Sequence, residues 1–358
     1  MLLFKKKYVS YLYIYFLILV FFFNEFSTNI AFSRNYKVSN VKVEEIYDIN
    51  FDKSKVIDKA FEQAFRVLFH KLTENKDRQV LKNISLKEKK NLIENFSIND
   101  EQFINNNYIG HFNVQFNKRK IISYLNNKDI IPSSPSEIET FLLPVLIDTN
   151  LNELFYLNQN IFYNNWNINS KKYHLIKYIL PNEDIEDYEI IKKHISNIEN
   201  YNFEEITEKY NLQNEIILII LKSTSQLRVF SKIKFEKKKL LLNRSYNLNN
   251  IESEERINNI ILDIKDNFED KWKSVNKINT SIKIPIRISI NSRNAKLSEK
   301  LENKLSSMDL ISNFKIEMFN NKKIIYKIIF NGNPNKLLDI MYLNDFKIDT
   351  SKEIWKIQ

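Results

Sequence analysis

The stretch IKIPIRISI, residues 282–290, places isoleucine at every second position from Ile282 to Ile290. Strict alternation puts all five on one face of a β-strand. Pro285 has no N–H to give to a ladder and argues for an edge strand or a bulge. Downstream, Leu297, Leu301 and Leu305 recur at helical spacing, and Phe314, Ile316 and Met318 alternate as a second strand. A turn at Asn320-Asn321 leads into KKIIYKIIF, a strand that Gly332 breaks. Asn333 can then cap a helix with Pro334 at its first position, where a missing N–H costs nothing. FKIDTSKEIWKIQ closes the chain in one or two strands. The order β-α-β-β-α-β predicts a ferredoxin-like unit over residues 276–358.

Working toward the N-terminus, residues 138–275 predict a mixed α/β domain. FLLPVLID and IILIILKS are continuous apolar runs, as fully buried strands are, with YHLIKYIL as another strand. PNEDIEDYEII and FEEITEKYNL read as helices, the first capped by Asn182. QLRVFSKIKF and KKLLLNRSYNL form a hairpin turning near Glu236 to Lys238. Ile257, Ile260, Ile261, Ile264, Phe268 and Trp272 mark one face of a long helix. IIPSSPSEIE, residues 130–139, is the chain's only Pro/Ser cluster and reads as a linker.

Residues 35–129 form a third unit. VKVEEIYDINF reads as a strand, and Val56, Ala60, Ala64, Val67, Leu68 and Leu72 place a helix from about Ser54 to Leu72. A charged, Asn-rich stretch follows. Tyr108, Gly110, Phe112, Val114 and Phe116 then alternate in a half-buried strand, where Gly110 suggests a bulge or a close backbone approach. A short helix carries Ile122 and Leu125. The whole is expected to be α+β, built from three small α/β-type domains, the last of them ferredoxin-like.

The first 33 residues have the layout of a secretory signal peptide. Lys5, Lys6 and Lys7 precede an apolar run from Tyr8 to Phe23, and Ala31-Phe32-Ser33 offers a small-residue cleavage site. That run is short of the roughly twenty residues a spanning helix needs. Export to the periplasm with cleavage is the expectation, and an uncleaved inner-membrane anchor is the alternative. Among 358 residues there are only two glycines, Gly110 and Gly332, and no cysteine. Phosphate loops, dinucleotide fingerprints, thiol nucleophiles and thiolate zinc sites are therefore excluded. The net charge of +10 is discounted as evidence for an acidic partner. Asn is roughly one residue in seven, the signature of a composition in which Lys becomes the default surface residue.

Several marks occur in order along the chain. Ala60, Ala64, Leu72 and Thr73 lie on and after the first helix; Phe112, Val114, Phe116 and Arg119 run from strand into basic helix. Leu143-Pro144-Val145 precedes Asn160, Phe162 and Trp166, and Leu180-Pro181 precedes Asp184 and Asp187. Gly332, Leu337, Leu338 and Trp355 close the series. Together they resemble an exported bacterial family catalogued as domain of unknown function 2066, although Phe162 stands where that family's pattern has Trp. The resemblance covers most of the mature chain. It implies an exported, envelope-associated protein with no assigned catalytic residues.

Candidate sites are few. In NQNIFYNNWN, residues 158–167, Phe162, Tyr163 and Trp166 read either as an aromatic docking patch or as a brace against the Pro144 strand with Tyr163 at the rim. Arg228, Lys232, Lys234, Lys237, Lys238, Lys239 and Arg244 make the hairpin basic, which suits an anionic lipid or cell-wall polymer or simply a solvated sheet face. Glu183, Asp184, Glu186 and Asp187 read better as helix-start acids favoured by the dipole than as metal ligands. No GxSxG elbow or HExxH pair exists. The sequence therefore predicts a non-catalytic envelope protein that docks to other, unidentified envelope proteins, without cofactor, metal or nucleic acid. Its alternatives are a periplasmic hydrolase with a dispersed site and a membrane-tethered scaffold. The candidate docking residues are Phe162, Tyr163, Trp166, Arg228, Lys232, Lys234 and Lys238.

Overall fold

The computed structural model describes residues 36–168, 170–247 and 253–357. The expected signal segment and its cleavage site lie outside the described residues. The fold is α+β, with three separate sheets.

In the N-terminal unit, β1 (Lys37–Ile46), β2 (Ile93–Ile104) and β3 (Asn107–Phe116) form an antiparallel sheet in the order β1-β3-β2. Helix α1 (Lys53–Leu72) packs on one face. Its buried side chains Val56, Ala60, Ala64, Leu68 and Leu72 meet Val41, Val43, Phe112 and Val114. Asp52 caps it by accepting from the Ser54 N–H. The Asn-rich stretch holds a 3-10 turn (Asn75–Leu81), α2 (Leu86–Leu92) and β2. Strand β2 escapes the periodicity because nearly all its side chains are exposed. Asn105 and Asn106, both left-handed (φ 49° and 59°), make the two-residue hairpin loop to β3, a conformation Asn tolerates better than most residues. Gly110 is not at a bulge. The rings of Tyr108 and Phe112 lie over it so closely that a Cβ would sit 2.7 Å from the Tyr108 hydroxyl. Helix α3 (Lys118–Asn126) closes the unit.

The central sheet has the order β5-β4-β7-β8-β9, with β6 also on β4. Strand β4 (Ile138–Asp148) runs parallel to β7 (Glu215–Lys222) and to β6 (Ile176–Ile179), while β5 (Glu153–Phe155) pairs antiparallel with its far end. Strands β8 (Gln226–Phe235) and β9 (Lys238–Asn247) form the expected hairpin. Between β5 and β9 lie α4 (Ile161–Asn165), α5 (Ile185–Lys193) and α6 (Glu204–Thr207); α7 (Glu254–Val275) follows β9. Alternate residues of β4 point into two cores. Leu142 and Leu146 join α7, and Phe141, Leu143, Val145 and Ile147 join the α5–α6 side. This explains the unbroken apolar run. The cap of α5 is Asp184, not Asn182: its carboxylate accepts from the Glu186 N–H.

In the C-terminal unit, β10 (Ile284–Asn291), α8 (Ala295–Ser307), β11 (Ile311–Phe319), β12 (Lys323–Phe330) and α9 (Pro334–Tyr342) follow in the expected order. The strand after α9, β13 (Ile348–Asp349), turns back into β14 (Ile354–Ile357). The final order is β11-β12-β10-β14-β13. Strand β14 therefore lies parallel to β10, where a chain ending directly after α9 would have put an antiparallel strand. Strand β10 is central rather than an edge. Pro285 is tolerated near its start because β14 pairs only from Arg287 onward.

Residues 130–139 are no loose linker. Pro132, Ser133, Ser134 and Pro135 are buried. The Ser133 N–H donates to Leu72 O (2.8 Å), Ser134 N–H to Asn276 O (3.0 Å), and Ile278 N–H to Pro132 O (2.8 Å). The Ser134 hydroxyl donates to the Asp309 carboxylate at 2.5 Å, and the Trp272 indole to Ser136 O at 2.9 Å. One short strap is thus bonded to all three units.

Candidate functional site

The aromatic stretch 158–167 is mostly core. Asn160, fully buried, caps α4: its carbonyl oxygen accepts from Phe162 N–H and Tyr163 N–H, and its amide donates to Pro144 O at 3.0 Å. That cap turns Phe162 and Trp166 inward, where both are essentially inaccessible. Trp166 packs edge-on against Tyr178, ring centroids 5.5 Å apart. Burial leaves Phe162 and Trp166 no surface to offer a partner, so a docking patch cannot include them. Tyr163 is at the rim, its hydroxyl donating to Pro181 O at 2.9 Å.

The basic hairpin is largely satisfied within the molecule. Arg228 grips both oxygens of Glu199 at 2.5 and 3.1 Å. Lys232 donates to Tyr201 O at 2.8 Å, and Lys234 pairs with Glu215 at 3.3 Å. Lys237 reaches Asp339 and Arg244 reaches Asn267. Lys238 and Lys239 are exposed without an ion pair among the described residues. A patch of seven cations thereby reduces to two. The helix-start acids are engaged as well: Lys209 bonds Asp184 at 2.8 Å and Asp187 at 2.7 Å. Among the described residues, no cluster of His, Asp and Glu could hold a metal ion.

Sequence reading missed a polar joint between the first two units. His70 and His174, distant in the chain, lie against the same Tyr173 ring, with centroids 4.5 and 5.1 Å away. Asp270 accepts from the Asn75 N–H at 3.0 Å, and Lys277, at the start of the third unit, pairs with Glu74 at 2.8 Å. On α7, Glu269 is fully buried and accepts from Leu175 N–H and Ile176 N–H at 2.9 and 3.0 Å. Burial raises its pKa. Burial holds the ammonium groups of Lys265 and Lys273 down at about 8. Burial, with Arg78, Lys273 and Arg66 adding positive charge, drops His70 to about 4. No serine hydroxyl bonds to a histidine among the described residues, so a serine–histidine pair of the hydrolytic kind is not assembled there. The signal available in sequence was the placement of Lys265, Glu269 and Lys273 at four-residue steps on the apolar face of α7.

The tip of the N-terminal sheet breaks the apolar-inside pattern. Ile46, Tyr47, Ile49, Phe103 and Ile104 converge there and are exposed, Ile49 at 99% and Phe103 at 58%. The Tyr47 ring packs on Phe103 at 4.8 Å and on Phe51 at 4.9 Å. Beside this tip runs β2, which has a strand neighbour on one side only. It carries Glu94, Asp100 and Glu101 and no Lys or Arg. No helix of the described residues is long and apolar enough to cross a membrane.

No protein-family model matches the chain, and no curated protein matches it.

Proposed function

We propose that this chain is an exported, non-catalytic periplasmic protein that docks to other cell-envelope components through the tip and open edge of its N-terminal sheet. The observation that carries the reading is the convergence of Ile46, Tyr47, Ile49, Phe103 and Ile104 at one end of a sheet whose outer strand β2 pairs with β3 alone and leaves its other edge without a strand. Clustered exposed apolar side chains mark interaction sites. An unpaired edge offers backbone groups on which an extended segment can add a strand. Glu101 is taken up by Lys53 at 2.7 Å, but Glu94 and Asp100 on β2 have no Lys or Arg at ion-pair distance among the described residues, which favours a partner segment that is basic between its apolar residues. Export rests on the arrangement of Lys5–Lys7, the apolar run and Ala31-Phe32-Ser33, and kinship with the exported family of domain of unknown function 2066 rests on the ordered marks from Ala60 to Trp355.

The test places a photo-crosslinking residue at Ile49, at Phe103 and at the buried control Ile261, in the exported protein in cells. A discrete partner band at Ile49 and Phe103, absent at Ile261, is the expected result. Identical patterns at all three positions, or none, would remove the tip as a docking surface.

A further inference from the structure

Elsewhere on the N-terminal unit, and independent of the tip, a cleft of about 460 Å³ runs between α1 and the turn 75–81 with α2. Glu62, Arg66 and His70 fall at four-residue steps along one stripe of α1 and form one wall. The floor is apolar: Phe65 and Phe69 stack with ring centroids 3.9 Å apart, and Leu81 lies beside them.

The rim is cationic, and its cations differ in kind. Lys89 is neutralised in place by Glu62 at 3.0 Å. Arg66, Arg78 and Lys82 have no carboxylate at ion-pair distance among the described residues. Arg78 is the informative one. Its Nε and Nη2 are buried and have no hydrogen-bond partner. These two nitrogens form one side edge of the guanidinium, the edge that takes an oxyanion with two parallel bonds. Arg287 of the same chain shows that use: its Nε and Nη2 take both oxygens of Glu317 at 2.8 and 3.4 Å. Arg78 lies over the Tyr173 ring, its Cζ 5.7 Å from the centroid, but its fork is without an anion, and buried N–H donors left without acceptors are costly. His70 on the cleft wall loses basicity to burial first, and then to the charges of Arg78, Lys273 and Arg66, against an opposing effect of Asp266.

We propose that this cleft binds an anionic amphiphile, a phosphate or carboxylate attached to an apolar body. The oxyanion is held side-on by Arg78, with Arg66 and Lys82 at the rim, and the apolar body rests on Phe65, Phe69 and Leu81. The volume falls in the range of small-molecule sites, which combine apolar walls with a few polar groups that fix orientation.

Calorimetric titration of the mature full-length chain with octyl phosphate, inorganic phosphate and octyl glucoside tests this. The expected result is octyl phosphate binding at least about tenfold more tightly than either of the others, since each of them lacks one half of the recognition. Arg78→Lys keeps the charge and loses the fork, and weakens octyl phosphate by about tenfold. Lys82→Glu, at an exposed position, weakens it without touching the core. Equal affinity for inorganic phosphate would make the cleft a plain anion site, and equal affinity for octyl glucoside would make it an apolar one. Either result overturns the proposal, as does an absence of octyl phosphate binding or a wild-type affinity in both variants.

Discussion

The ammonium of Lys265 donates to the carbonyl oxygen of Trp166 at 2.5 Å, in the core of the central domain. It also sits 5.6 Å from the Trp166 ring and 5.5 Å from that of Tyr178. A cation between two aromatic faces, bonded to the end of α4, fixes how the 158–167 stretch meets α7.

This buried cation has a pH signature. Lys265 and Lys273 ionise at about 8 in the folded protein, against roughly 10.4 in an unfolded chain. Between those values the unfolded state binds more protons, so stability rises with pH across the window. Above about 10 the sign reverses, because burial raises the Tyr36 and Tyr178 hydroxyls and the unfolded phenols release protons first. A plot of Tm against pH should climb from about 8 and turn over near 10. Lys265→Met should flatten the climb.

Glu269 ties α7 to the start of β6 through two backbone N–H groups. Glu269→Ala should lower stability by about 2–4 kcal/mol, because it strands both buried donors. Glu269→Gln retains an acceptor and should cost less. Urea unfolding of the two variants checks the order.

Asn160→Ala removes the cap of α4 and the bond to Pro144 O. A loss of about 1–3 kcal/mol is expected, with the urea midpoint moving and the slope unchanged.

Gly110→Ala should cost about 1–3 kcal/mol. The new methyl would lie 2.8 Å from the Phe112 ring and 2.7 Å from the Tyr108 hydroxyl, and both residues are fully buried. Thermal unfolding reads the effect directly.

Ile49→Asp should leave Tm within the scatter of a surface substitution, about 0.5 kcal/mol, since the side chain is 99% exposed. Partner cross-linking from Phe103 should be lost with it. A fall in Tm without a change in cross-linking would make the tip structural.

What could be read from the sequence follows from burial. The alternating isoleucines of β10 and the apolar stripes of α1 and α7 are one-sided, and a one-sided element writes its period into the chain. Strand β2 buries almost nothing, so its residues carry no period and its place was unreadable. Pro and Ser at 132–135 signal an irregular backbone, but irregular is not loose, and the partners of that segment come from Leu72, Asn276 and Asp309. Phe162 and Trp166 are apolar whether they face a core or a partner; only the cap by Asn160 decided which. The meeting of His70 and His174 across Tyr173 belongs to tertiary structure alone.

The strap at 132–136 has a mechanical consequence. A pull on the N-terminal sheet travels through α1 to Leu72, across the Ser133 bond, and within one residue through Ser134 to Asn276 and Asp309. No slack chain lies between these anchors to stretch first. Load on the first unit is therefore passed directly to its neighbours through residues 132–136, and the three units are coupled at one short segment rather than strung on a flexible tether.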